Sequence, residues 1–214
     1  MKKTLLSMVM LFVCMTAFAQ DEDAQDRASW KVPTTYLNIG YVESKLKQDD
    51  REQLKSDWGA SSTSGKTFFL HKKPIANFIR LGIDATWFDL SYANYKLIDF
   101  GLKETFHHAE AAMHVGPSIT LTPVKGLNIS GYFRYAPTFA ALYSTANDNY
   151  NLGYATRFVA GGCLSYKFFG VGFESRFGFN KFDPFEEFVI ESHEDIEKIK
   201  TNLKGFRVYL SFRF

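Results

Sequence analysis

The chain has 214 residues, enough for one domain, and its 25 basic and 23 acidic side chains form no Lys/Arg cluster that would fit a nucleic-acid partner. Aromatic residues make up 17% of it, yet the mean hydropathy is only -0.17. That combination fits apolar residues spread by alternation, and after the N-terminal leader no apolar block is long enough for a spanning helix, which needs ~20 residues. A membrane form of this protein would therefore have to be a closed barrel.

The first residues, MKKTLLSMVMLFVCMTAFAQ, have the positive start, short apolar stretch and Ala-Phe-Ala site of a secretory signal peptide covering residues 1–19. Cys14 follows Val13, where a lipid-modified cysteine would follow a small residue. Removing the leader removes Lys2 and Lys3, which leaves 23 basic against 23 acidic residues, and a single cysteine, Cys163. A lone cysteine offers no disulfide framework and reads as a small buried residue. Residues 20–33 read as a polar lead-in on the periplasmic side, and residues 34–214 as the barrel.

The first strand alternates from Thr35 to Val42, with Leu37, Ile39 and Tyr41 on one face and Tyr36, Asn38, Gly40 and Val42 on the other. A weaker segment, Ala60 to Leu70, supplies the second. The third sets Ile79, Leu81, Ile83, Ala85 and Trp87 against Arg80, Gly82, Asp84 and Thr86. The fourth and fifth carry Met113, Val115, Pro117, Ile119 and Leu121, then Leu127, Ile129, Gly131, Phe133 and Tyr135. The sixth runs from Phe158 to Phe168, the seventh through Val171, Phe173, Phe177 and Phe179, and the eighth through Phe206, Val208, Leu210, Phe212 and Phe214. Pro117 and Pro137 are expected to mark bulges or strand ends, because a closed barrel has no free edge.

Short connections (HKKPIAN, PVKG and Phe169-Gly170) alternate with long ones, about residues 44–58, 92–110, 142–152 and 182–204. The rhythm fits an eight-stranded antiparallel transmembrane β-barrel with short periplasmic turns and long extracellular loops. A soluble lipocalin-like barrel is the main competitor; it would put the apolar faces inward and make Arg80 and Asp84 surface residues.

With apolar faces toward lipid, the opposite faces place Arg80, Asp84, Arg134, Glu174, Arg176, Arg207 and Arg213 in the lumen as a charge network. Such charges must pair or stay wet. They read either as a salt-bridged plug or as the lining of a small anion-preferring pore. His107, His108 and Glu110 fall in the second long connection and read as a solvated loop, since adjacent side chains of a strand face opposite ways and cannot easily share a metal. Tyr92, Tyr95 and Phe100 of that connection read as a contact surface or as part of an interfacial girdle. The fourth connection is acidic from Glu186 to Glu197, with Ile196, Ile199 and Leu203 at helical spacing.

The leader, the alternation, the loop rhythm and the terminal YLSFRF together make the chain resemble the small eight-stranded outer-membrane barrels of Gram-negative bacteria, such as OmpX and the membrane domain of OmpA. The resemblance implies residence in the outer membrane, contact with its lipids and lipopolysaccharide, and a monomer. It also implies insertion by the barrel-assembly machinery, with Phe206, Val208, Leu210, Phe212 and Phe214 as the assembly signal. Lipid A-modifying enzymes share this architecture, but His114 and Ser118 lie on the face opposite the apolar one, away from acyl chains. The expectation is a non-enzymatic protein without metal or cofactor, structural or adhesive through its outer loops, with a narrow channel as the alternative.

Overall fold

A computed structural model describes residues 30–48, 54–99, 102–145, 149–184 and 199–214. Eight strands run in chain order: β1 Thr35–Gln48, β2 Leu54–Phe69, β3 Ile79–Asp99, β4 Leu102–Val124, β5 Leu127–Ser144, β6 Asn149–Tyr166, β7 Phe169–Pro184 and β8 Ile199–Arg213. Each pairs antiparallel with its sequence neighbours, and β1 pairs with β8 to close the barrel. The last residue takes part in the closure. Phe214 N–H donates to the Thr35 carbonyl, and its own carbonyl oxygen accepts from the amides of Thr34 and Thr35.

The barrel is inside out relative to a soluble protein. Among the described residues, twelve apolar or aromatic side chains are buried against twenty-seven polar or charged ones. The outer surface carries the large apolar groups, including Ile39, Leu81, Ile83, Val115, Phe133, Leu164, Phe173 and Leu210, all exposed. On several strands this outer run lasts about nine to eleven residues, as in Leu81–Leu90, Ile129–Phe139 and Val171–Phe179, the length a tilted strand needs to cross a bilayer. Apolar surface of that extent has no partner in water but is stable in lipid. With Arg80 and Asp84 buried at 8% and 4% exposure, the lipocalin-like alternative is overturned.

The strands continue well past this belt, into three of the four long connections expected from the sequence. Most of residues 44–58, 92–110 and 142–152 is paired strand, and β4 reaches 23 residues. His107, His108 and Glu110 lie within β4, not in a loop. Of the fourth connection, residues 185–198, which hold the acidic run and Ile196, lie outside the described residues, as do Phe100 and the leader.

The prolines also behave differently from expectation. Pro117 pairs with Ile83 of β3 and Pro137 with Thr156 of β6, in unshifted register and in the middle of their strands. On the seam between β4 and β5, Ala112↔Thr138 is followed by Val115↔Tyr135 and then Ser118↔Tyr132, so the rungs at both prolines are missing. Both rings therefore face one seam, which gives up ladder bonds without a bulge.

The bulge that matters lies in β3. Thr86 pairs with His114 but Asp89 with Ala112, so two residues, Trp87 and Phe88, oppose one. Both are exposed, at 47% and 49%. The bulge reverses the parity of the strand: Arg80, Asp84 and Thr86 face the lumen before it, and Asp89, Ser91, Ala93 and Tyr95 after it.

Candidate functional site

The lumen is the candidate site, and it contains more charge than the sequence reading assigned. Four carboxylates (Asp84, Asp89, Glu110, Glu174) and six arginines (Arg80, Arg134, Arg157, Arg176, Arg207, Arg213) are buried there with His108 and His114.

Toward the end where β2 and β3, β4 and β5, and β6 and β7 are joined (the turn end), Asp84 accepts two hydrogen bonds and pairs with an arginine. Tyr36 hydroxyl reaches Oδ1 at 2.7 Å, Thr67 hydroxyl reaches Oδ2 at 2.8 Å, and Arg134 Nε lies 2.9 Å from Oδ1. Arg134 also donates to Thr86 Oγ1 at 3.3 Å, and Thr86 is bonded to the Tyr36 hydroxyl at 2.7 Å. The guanidinium stacks over the Tyr132 ring with 3.5 Å to its centroid, so this cation has both a carboxylate and an aromatic face.

Tyr132 links the two layers. Its hydroxyl donates to Glu174 Oε2 at 2.9 Å and is bonded to that of Tyr209 at 2.8 Å. Gly172 and Gly161 are the cross-strand neighbours of Tyr209 and Tyr132, and the two rings lie over them. A Cβ at Gly172 would fall within the Tyr209 ring, and one at Gly161 would stand 2.7 Å from the Tyr132 hydroxyl. Glycine is required here for close approach.

Further along, Arg207 bridges two acids. Its Nη1 lies 3.0 Å from Glu174 Oε1 and 3.0 Å from Asp89 Oδ2, while Nη2 donates to Asp89 Oδ1 at 2.9 Å. Asp89 also meets His114 Nε2 at 3.0 Å and Arg176 Nη2 at 3.9 Å. Arg176 continues to Glu110 at 3.2 Å, and Glu110 pairs in turn with Arg157 and, at 3.3 Å, with His108 Nδ1. The chain Glu174–Arg207–Asp89–Arg176–Glu110–Arg157 thus alternates in sign without a break. Hydroxyls of Thr63 and Ser91 fill remaining positions around Arg207, Arg176 and Glu110.

Each charge here has lost its water, which costs several kcal/mol per ion unless pairing and hydrogen bonds replace it. Four arginines against four acids balance the central network. Arg80 and Arg213 lie toward the turn end, and neither forms an ion pair with a described carboxylate. Arg80 donates to the carbonyls of Lys72 and Trp30, and Arg213 to Ser130 Oγ at 3.2 Å and faces the Tyr36 ring.

All seven charges placed in the lumen by parity are found there. Four participants escaped that reading. Asp89 needs the bulge, Arg157 stands one residue before the stretch read as the sixth strand, and His108 and Glu110 stand on strand beyond the belt. Tyr95, read as a contact surface, is fully buried and bonded to Ser44, whereas Tyr92 points outward. It stacks on His107, which stacks on Tyr143, with centroids 6.0 Å apart in each pair, and Trp58 lies 5.2 Å from Tyr92. These four rings cross four adjacent strands above the apolar belt. Cys163 is buried on the lumen side. The cavity among the network residues, lined in part by Ser44, Ser91, His108, Glu110, Arg157 and Arg176, measures ≈10 Å3 at the water centre, room for on the order of one water molecule. Among the described residues, no group of three or more His, Cys, Asp or Glu is arranged to hold a metal ion.

No family model matches the chain, and no curated protein matches its sequence. Solved structures with a similar course include the attachment invasion locus protein Ail of Yersinia pestis, bound to a heparin analogue, at 10% identity and TM-score 0.45, covering 86% of this chain and 100% of that one. Neisserial surface protein A follows at 11% and 0.44, covering 84% and 97%. The outer-membrane protease OmpT of Escherichia coli stands at 8% and 0.46, covering 87% and 98%. At such identities neither the attachment nor the protease activity carries over, and the reading below rests on this chain's own residues.

Proposed function

We propose that this protein is a monomeric, non-conducting outer-membrane barrel whose charged lumen is its structural core and whose role, structural or adhesive, is exerted at the end opposite the turns. One observation carries the reading: the sign-alternating network is contributed by facing strands and joins them across the lumen, and the cavity among Glu110, Arg157 and Arg176 has room for about one water. Paired charges that cross the lumen in this way stand in the path of a hydrated ion. Insertion follows from the last strand, where Phe206, Val208, Leu210, Phe212 and Phe214 give the barrel-assembly machinery its signal and then form lipid-facing wall beside lipopolysaccharide and phospholipid. His114 is engaged with Asp89 in the lumen, which favours a structural role for it over lipid A chemistry.

The alternative, a narrow anion-preferring channel, draws on the excess of two arginines over acids. Planar-bilayer recording of the folded protein decides between them, with Arg134→Ala as control. Silence from folded wild type is expected. Discrete openings whose ion preference changes in Arg134→Ala would refute the plugged barrel.

A further inference from the structure

Charge is distributed unevenly along the barrel axis. Residues 30–42, 60–83, 111–133, 158–173 and 205–214, the turn-side stretches of the described wall, contain no Asp or Glu, and Asp84 toward the same end is turned into the lumen. The same stretches hold Lys31, Lys66, Lys72, Lys73, Lys125 and Lys167. Among the described residues, acids on the outer wall stand at the opposite end, where Glu43 pairs with Lys55 and Asp57 with Lys96. The turn-end lysines have no carboxylate within 4 Å among the described residues.

Their position supplies the second observation. The most exposed large apolar side chains are Phe214 at 69%, Leu70 at 64% and Phe168 at 62%, and all three lie at the turn-end rim. Lys66 stands 5.6 Å from the Phe68 ring and Lys167 5.3 Å from the Tyr166 ring, both rings outward and exposed. An apolar ring with ammonium groups just above it matches the layering of acyl chain and headgroup, with lysine stems lying along the apolar surface and their charges above it. Lysines on this rim that pair with no described carboxylate suit a surface that carries the complementary charge itself.

We infer that the turn-end rim is a docking surface for acidic glycerophospholipids, with Lys66, Lys125 and Lys167 on the headgroup phosphates and Leu70, Phe168 and Phe214 among the acyl chains. The inference rests on the membrane-spanning reading and adds to it a preference for one class of lipid in the leaflet on the turn side. Each lysine near an anionic surface strengthens binding on the order of fivefold.

The test uses the full folded chain in zwitterionic micelles, offered equal amounts of phosphatidylglycerol and phosphatidylcholine with the same acyl chains, with retained lipid read by native mass spectrometry. Wild type is expected to retain phosphatidylglycerol preferentially and to lose that preference at high salt. The variant K66Q/K125Q/K167Q should lose it at low salt, while K55Q/K96Q, altered at the opposite end, should keep it. Equal retention by wild type, or equal loss in both variants, would overturn the assignment. Extraction of the protein from vesicles by alkaline carbonate would instead overturn the membrane-spanning reading itself.

Discussion

Replacing Asp89 with Asn tests whether the lumen network acts as the core of this barrel. Asp89 is 1% exposed and takes both terminal nitrogens of Arg207, Nε2 of His114 and, more distantly, Arg176. Asn keeps the shape but removes the charge and turns an amide donor toward cations. Removing one partner of a buried pair costs about 3–5 kcal/mol. The lower end, about 3 kcal/mol, applies here, because Arg207 keeps Glu174 at 3.0 Å and Arg176 keeps Glu110 at 3.2 Å. The assay is reversible urea unfolding from lipid vesicles, followed by the fluorescence of the outward Trp58 and Trp87. The midpoint should fall with the slope unchanged. Arg207→Met alone should also destabilise, by leaving Asp89 short of its main cation, yet the double variant restores charge balance. It should therefore cost about 2 kcal/mol less than the sum of the single changes, well outside the ~0.5 kcal/mol within which independent sites add. A loss below about 1 kcal/mol for Asp89→Asn, or an additive cycle, would show that the network is not cohesive.

Two further outcomes follow from the wall. Deleting Trp87 removes the extra residue of the β3 bulge and leaves Asp89 facing inward, so the barrel should still fold with its heat-modifiable gel mobility; a strand deletion that turned Asp89 outward would instead abolish folding. Pro137→Ala returns an N–H to the seam between β4 and β5, and should raise the urea midpoint by the equivalent of about 0.5–1.5 kcal/mol, with slower amide exchange at Met113 and Val115 of the facing strand; faster exchange or a lower midpoint would refute the reading of that seam.

The belt was legible in the sequence because the bilayer enforces it. Between lipid and lumen each strand must alternate, so Leu81, Ile83 and Trp87 against Arg80 and Asp84 could be read directly. Above the belt both faces are wet or polar and nothing imposes alternation on the outer one. The stretch from Glu104 through Phe106, His107 and His108 to Glu110 consequently reads as loop, although it is paired with β3 throughout and with β5 from Phe106 onward. The glycines at 161 and 172 carried a usable signal, since their inward parity implies large rings opposite, and Tyr132 and Tyr209 are those rings.

Asp89 shows where parity counting stops. Counted from Arg80 it belongs on the lipid face, where an unpaired carboxylate would be costly, especially toward the bilayer midplane. A sequence reader who accepts that cost as prohibitive must insert one residue between Asp84 and Asp89, and the adjacent Trp87-Phe88 pair, two bulky aromatics that both suit lipid, is the place where the insertion costs least. The same reasoning makes the bulge a consequence of composition on both sides of the wall. Two aromatic residues gain by facing out together, and one carboxylate gains by reaching the arginines across the lumen.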